Sequence, residues 1–222
     1  MEANVLLSSL DSPSRRIRPQ EREYFRVKSS ISEQEFTNFY SKFGFVNSPA
    51  FRSEFFWLDT GTDPTAARLF RTSSRLRIKR RDNNFYRLQY KTPVLPRPAN
   101  DFLYKTFEEQ KWPLGRSIAQ KIISRGHALS TEFPGSYFPD VVRFEVIAIS
   151  TSEKQTIRQG DLKIIIERFQ TAVDLCRHYQ LEIRSLNPVS VLRFKARLEQ
   201  EVGFRKPVSK LMHIWASVCR WQ

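Results

Sequence analysis

Arg75-Leu-Arg-Ile-Lys-Arg-Arg81, Asp82-Asn-Asn84 and Phe85-Tyr-Arg-Leu-Gln-Tyr-Lys91 form the stretch on which the fold turns. Asp and Asn side chains bond to nearby backbone and tolerate left-handed geometry, so the middle segment is turn chemistry. The flanks then pair as a β-hairpin. Side chains alternate across a strand, and parity sorts them. Arg75, Arg77, Lys79 and Arg81 share one face, with Leu76 and Ile78 on the other. On the return strand Arg87, Gln89 and Lys91 share a face, opposite Tyr86, Leu88 and Tyr90. Like charges opposed across a hairpin cost stability unless an anion sits among them.

Outward from the hairpin, strands dominate. Glu21–Lys28, Phe55–Asp59, Tyr104–Lys111, Val141–Ile149, Lys154–Ile157, Leu162–Phe169 and Tyr179–Ile183 read as further strands, giving a set of roughly eight. Ser32-Glu-Gln-Glu35 spells a capping box, and Phe36, Phe39, Tyr40 and Phe43 recur at helical spacing before Gly44 stops the helix. Ile118–Ser124 reads as a short helix. Pro188–Val202, opened by Asn187-Pro188, and Val208–Trp221 are helices at the end of the chain. Runs of strands with few helices between them imply an α+β fold with an antiparallel sheet. Residues 1–19 carry Ser, Pro and Arg without periodicity and are expected to form a flexible basic tail before a single domain over 20–222.

Composition narrows the classes. The chain has 222 residues, with 37 Lys+Arg against 23 Asp+Glu and a net charge of +14, which predicts a polyanionic partner. A hydrophobic content of 40% with 18 Phe excludes global disorder. Cys176 and Cys219 are the only cysteines, so a disulfide scaffold and multi-cysteine metal clusters are excluded. No apolar run approaches the ~18 residues of a membrane span. The N-terminal stretch, with an early acid and no basic flank, is a poor signal peptide. The expectation is an intracellular protein, cytoplasmic or nuclear, neither secreted nor membrane-bound. His127, His178 and His213 sit in unrelated contexts and read as solvated or capping residues. Lys206–Lys210 reads as basic surface.

The acids are segregated from the bases. Glu21 and Glu23 share a face, Glu167 lies with Lys163 and Ile165, and Glu182 lies with Gln180 and Arg184. Carboxylates for a metal and Arg/Lys for phosphate oxygens, kept apart on one sheet face, suit a closed barrel that holds a metal–polyphosphate complex.

In order along the chain, these elements resemble the triphosphate tunnel metalloenzyme superfamily, which includes the CYTH proteins and the divalent-cation-dependent RNA triphosphatases. Glu21-Arg-Glu23 before an amphipathic helix is similar to the family's opening strand. Trp57-Leu-Asp59-Thr60, Arg87-Leu-Gln-Tyr-Lys91, Ile164-Ile-Ile-Glu167 and Tyr179-Gln-Leu-Glu182-Ile resemble its later landmarks over about 21–215. Phe25 stands where the family has Lys, and Arg184 where it has a second Glu. The resemblance implies an antiparallel eight-stranded closed β-barrel, a tunnel, with helices packed outside. It implies Glu21, Glu23 and Glu182 as ligands for Mg²⁺ or Mn²⁺, and Glu167 or Glu109 to position water. Arg75, Arg77, Lys79, Arg87 and Lys91 would clamp phosphates, with Lys154 and Arg184 as further candidates. The implied function is a metal-dependent RNA 5′-triphosphatase of the mRNA-capping type, with a triphosphate-bearing RNA end as substrate and capping machinery as partner. The alternatives are hydrolysis of inorganic tripolyphosphate, thiamine triphosphate or a nucleotide, or a degenerate barrel that binds RNA or polyphosphate.

Overall fold

Ser32 opens the first helix as its spelling requires. Its hydroxyl accepts from the Glu35 N–H at 3.2 Å, and Glu35 Oε2 accepts from the Ser32 N–H at 2.5 Å, an arrangement of the kind worth about 1 kcal/mol. The computed structural model describes residues 25–61, 67–81, 85–93, 107–125, 144–172, 177–200, 205 and 210–219. The expected tail, with Glu21 and Glu23 just beyond it, lies outside these.

Within them the order is β1 (Phe25–Ile31), α1 (Glu33–Lys42), β2 (Phe51–Asp59), α2 (Arg68–Arg71), β3 (Arg75–Arg81), β4 (Tyr86–Pro93), β5 (Phe107–Leu114), α3 (Arg116–Arg125), β6 (Glu145–Gln159), β7 (Leu162–Thr171), β8 (Arg177–Ser185), α4 (Pro188–Glu199) and α5 (Lys210–Cys219). The two strands expected over Val141–Ile149 and Lys154–Ile157 are one strand, β6, which pairs with β2 along its first part and with β7 along its second. The predicted hairpin is present in its expected register, with Arg75 opposite Lys91, Arg77 opposite Gln89 and Lys79 opposite Arg87.

All eight strands form one antiparallel sheet, ordered β1-β8-β7-β6-β2-β3-β4-β5. The expected closed barrel is corrected here: among the described residues the hydrogen-bonded ladder ends at β1 and β5, with no pairing between them. The sheet is nonetheless curled. Laid flat at about 4.8 Å per strand, β1 and β5 would lie roughly 30 Å apart, yet Glu109 on β5 acts electrostatically on Arg26 of β1, and Lys28 of β1 on Lys91 of β4.

The outer face divides into two covered patches. Leu76, Ile78, Tyr86, Leu88 and Tyr90 point outward as expected. Their sequence leads one to expect the Phe36–Phe43 stripe and the two C-terminal helices as their cover, but the cover is Leu69 of α2 and Ala119 and Ile122 of α3. The Phe36–Phe43 stripe and α4 instead cover Val27, Ile164, Ile166, Leu181 and Ile183 of β1, β7 and β8. Helix α5 departs from the expectation of helices outside. Its Ile214 packs with Phe55, Trp57 and Phe169, all of inner-face parity. A single apolar face on α5 finds its partner surface inside the curl because that is where the sheet presents aromatic side chains.

Candidate functional site

Parity fixed by the ladder defines the inner face. β1 contributes Arg26 and Lys28, β3 Arg75, Arg77 and Lys79, β4 Arg87 and Lys91, β5 Lys111, β6 Lys154 and β8 Arg184. Against them stand three carboxylates, Glu109, Glu167 and Glu182. The face is crowded with cations because odd positions on β3 and β4, and even ones on β1 and β8, are turned away from the apolar patches that the helices cover.

Each of these carboxylates is held by at least two cations. Glu182 lies 3.1 Å from Lys28 Nζ and 2.6 Å from Arg184 Nε, through different oxygens. Glu109 lies 3.1 Å from Lys91 and 2.9 Å from Lys111, again one oxygen each. Glu167 is bonded by Lys154 at 3.3 Å, by Lys210 of α5 and by the Ser152 hydroxyl. Arg77 stacks its guanidinium 4.3 Å from the Phe55 ring centre and 5.1 Å from that of Trp57, while its Nε donates to Gln89 Oε1 at 2.9 Å.

Crowding moves the ionisation of these groups in directions set by burial and neighbours. Burial, then Lys154, Arg81 and Arg77, bring Lys79 down to about 8. Burial, opposed by Glu167 and assisted by Lys154, brings Lys210 down to about 7. Burial, Arg77 and Arg26 lower Arg75 to about 10. Burial opposes ionisation of Glu109, but Lys91 and Lys111 hold it at about 2. Glu167 and Glu182 are likewise held low by their cations against the pull of burial.

The sequence-derived candidates separate into two groups. Arg75, Arg77, Lys79, Arg87, Lys91, Lys154, Arg184, Glu109, Glu167 and Glu182 are all on the inner face. Glu21 and Glu23 lie outside the described residues. Others were not read as site residues at all. Lys210, expected on the surface, is half-buried against Glu167 with its ammonium 4.9 Å from the Phe169 ring centre. Lys210 lies one turn before Ile214, so the docking of Ile214 inside the curl carries it there. His178 and His213, expected in separate contexts, stack with ring centres 3.8 Å apart. Asp59, part of the Asp-Thr landmark, serves backbone geometry: its Oδ1 accepts from the N–H of Thr60 at 2.7 Å and of Leu69 at 3.0 Å.

The donor set for a divalent cation is not assembled among the described residues. No three His, Cys, Asp or Glu side chains gather, and both oxygens of Glu182 are occupied by cations where a metal would need them free.

No protein-family model and no curated relative matches the chain. Solved structures do. A candidate adenylate cyclase from Bacillus halodurans aligns with a TM-score of 0.67 at 15% identity, over 85% of this chain and 95% of that one. A candidate adenylyl cyclase from Hippeastrum, described as having a dominant triphosphatase activity, aligns with a TM-score of 0.66 at 16% identity, over 87% and 95%. The RNA triphosphatase Pct1 of Schizosaccharomyces pombe aligns with a TM-score of only 0.33 at 10% identity, over 88% and 72%, which carries no argument about substrate. The chain shares the fold of these two cyclase-like structures over most of its length. No helix among the described residues is long and apolar enough to cross a membrane.

Proposed function

We propose that this chain binds a linear triphosphate on its inner face and hydrolyses it, with the 5′ end of RNA as the substrate. The observation that carries the reading is the convergence of Arg75, Arg77, Lys79, Lys91, Lys154 and Arg184 from both sides of a curled sheet onto a space that, among the described residues, they share with Glu109, Glu167 and Glu182. Phosphoryl transfer asks a protein mainly to neutralise and orient phosphate oxygens and to place a water. The planar guanidinium groups of Arg75, Arg77 and Arg184 suit forked contacts with phosphate oxygens, and the lysines suit point contacts. Glu167, anchored by Ser152 and Lys210, or Glu109 would orient the water. RNA is favoured over a small triphosphate because the charge of +14 extends over the whole chain.

A second reading is favoured by one observation. Lys28 and Arg184 saturate Glu182, an arrangement that suits retention of a polyphosphate without turnover. Phosphate release from 5′-triphosphate RNA, a nucleoside triphosphate and tripolyphosphate, with Mg²⁺, with Mn²⁺ and with a chelator, separates the two. Release from RNA that depends on either ion supports the hydrolase. Binding of all three ligands without release in any condition establishes the binding module instead.

A further inference from the structure

The exposed end of the inner face carries two aromatic rings that no apolar cluster of the fold uses. Phe51, at the start of β2, is 48% exposed, and Phe85, just before β4, is 45% exposed. Both have inner-face parity: Phe51 lies opposite Lys154, and Phe85 is two residues before Arg87. Arg81 ends β3 between them. It sits opposite Ser53, and its N–H donates to the Phe85 carbonyl at 3.1 Å. The Arg81 guanidinium carbon is 5.8 Å from the Phe51 ring centre, and that of Arg87 is 5.2 Å from the Phe85 ring centre. Among the described residues neither arginine is ion-paired to a carboxylate, unlike Lys91, Lys154 and Arg184 deeper in the curl.

Open aromatic faces alternating with planar guanidinium groups are the surface on which an unstacked base is held. An inorganic polyphosphate can meet the guanidinium groups but has nothing to stack on the two rings; a nucleobase does. Along β3, side chains on one face follow one another every 6–7 Å or so, so Arg81, Lys79 and Arg77 form a graded path from the rings to the buried cations. Beside Arg81, Arg52, Arg80, Arg168 and Arg177 of the outer face line an open cavity of about 630 Å³, the first three paired there with Glu153 or Glu54.

We infer that Phe51 and Phe85, with Arg81 and Arg87, form a stacking platform for the base that carries the triphosphate, either a free nucleotide or the first nucleotide of an RNA. The inference rests on the triphosphate reading above and narrows its substrate class to nucleobase-bearing triphosphates, excluding the inorganic chain as the selected ligand.

The test is calorimetric binding of tripolyphosphate, ATP and a short 5′-triphosphate RNA to the wild type and to the double variant F51L/F85L, with and without Mg²⁺. The replaced side chains are exposed, and an unchanged melting temperature confirms that the variant is folded. Affinity for tripolyphosphate is expected to be retained, while that for ATP and RNA falls roughly tenfold, the scale of one lost base–aromatic stack. Tighter wild-type binding of RNA than of ATP identifies the RNA end as the source of the base; equal binding identifies the free nucleotide. Equal loss for all three ligands, or no loss for any, overturns the platform. Wild-type protein that binds tripolyphosphate but neither nucleobase ligand overturns the platform and leaves the triphosphate reading intact. Binding of none of the three overturns both.

Discussion

Replacing Glu167 by Gln removes the charge that holds Lys210 inside the curl. Lys210 has a side chain only 14% exposed, and desolvation has already reduced its affinity for a proton to about 7. Deleting one member of a buried pair leaves the other unpaired in a poor solvent for charge, at a cost of about 3–5 kcal/mol. Lys154 loses its partner as well, but it is more exposed and adds little. E167Q is therefore expected to lower stability by about 3 kcal/mol at pH 6, or roughly 6–12 °C in melting temperature for a chain of this size. The sign with pH follows from linkage. The folded-state affinity of Lys210 for its proton lies below the unfolded value, so its burial becomes less costly as pH rises through about 7 towards 10.5. The deficit of E167Q relative to wild type should thus shrink at pH 9, where Lys210 is largely neutral in both proteins. The double variant E167Q/K210M should recover most of the loss, since Met retains the contact with Phe169 and carries no charge to desolvate. Thermal unfolding followed by circular dichroism at pH 6 and pH 9 measures all three effects. A deficit that is the same at both pH values and is not relieved by K210M would refute the buried pair as its cause.

Glu109 is held at about 2 by Lys91 and Lys111 against burial. Its contribution to stability is present above its unfolded value of 4.5 and lost as pH falls from there towards 2, so E109Q should flatten the acid side of the stability profile in denaturant titrations. Lys79 sits at about 8. A bound polyphosphate favours its charged form, so calorimetry at pH 8.5 in buffers of different ionisation enthalpy should show proton uptake that K79M reduces. R184E frees one oxygen of Glu182 and adds a second carboxylate beside it. Mn²⁺ binding, followed by paramagnetic relaxation of water, should therefore strengthen in R184E, and unchanged binding would remove Arg184 as the block to metal.

The hairpin, the helix caps and the sorting of charges onto one face were legible because each depends on neighbours within a few residues. The capping box at Ser32 and the register of Arg77 with Gln89 are of this kind. The continuity of β6 was not legible, since the polar run Ser150-Thr-Ser-Glu-Lys154 reads as a break until β2 and β7 are both seen to pair with it. Nor was the cover of the hairpin: sequence shows that Leu76, Ile78 and Leu88 need apolar partners, not that Leu69, Ala119 and Ile122 supply them. Lys210 was misread for a related reason. A lysine beginning an apolar helix is ordinarily at the surface, and only the inward docking of Ile214 carries it to Glu167.

The ion pairs of the inner face also bear on which anions it can accept. Lys28, Lys91, Lys154 and Arg184 are already partnered by carboxylates fixed to the same sheet. An incoming anion must compete with those carboxylates at their high local concentration, and it recovers only the difference between two charge-assisted contacts. Orthophosphate touches few cations at once and gains little over Glu109, Glu167 or Glu182. A triphosphate spans several, and its gains accumulate along one chain whose translational freedom is lost only once. The fixed acids therefore act as a filter for length and charge density, which a bare cationic groove would lack. Tripolyphosphate should bind at least a hundredfold more tightly than orthophosphate, on the order of the gain from one linked second contact, and E182Q should narrow that ratio by relieving competition at Lys28 and Arg184. A ratio below tenfold in wild-type protein would show that the carboxylates do not compete.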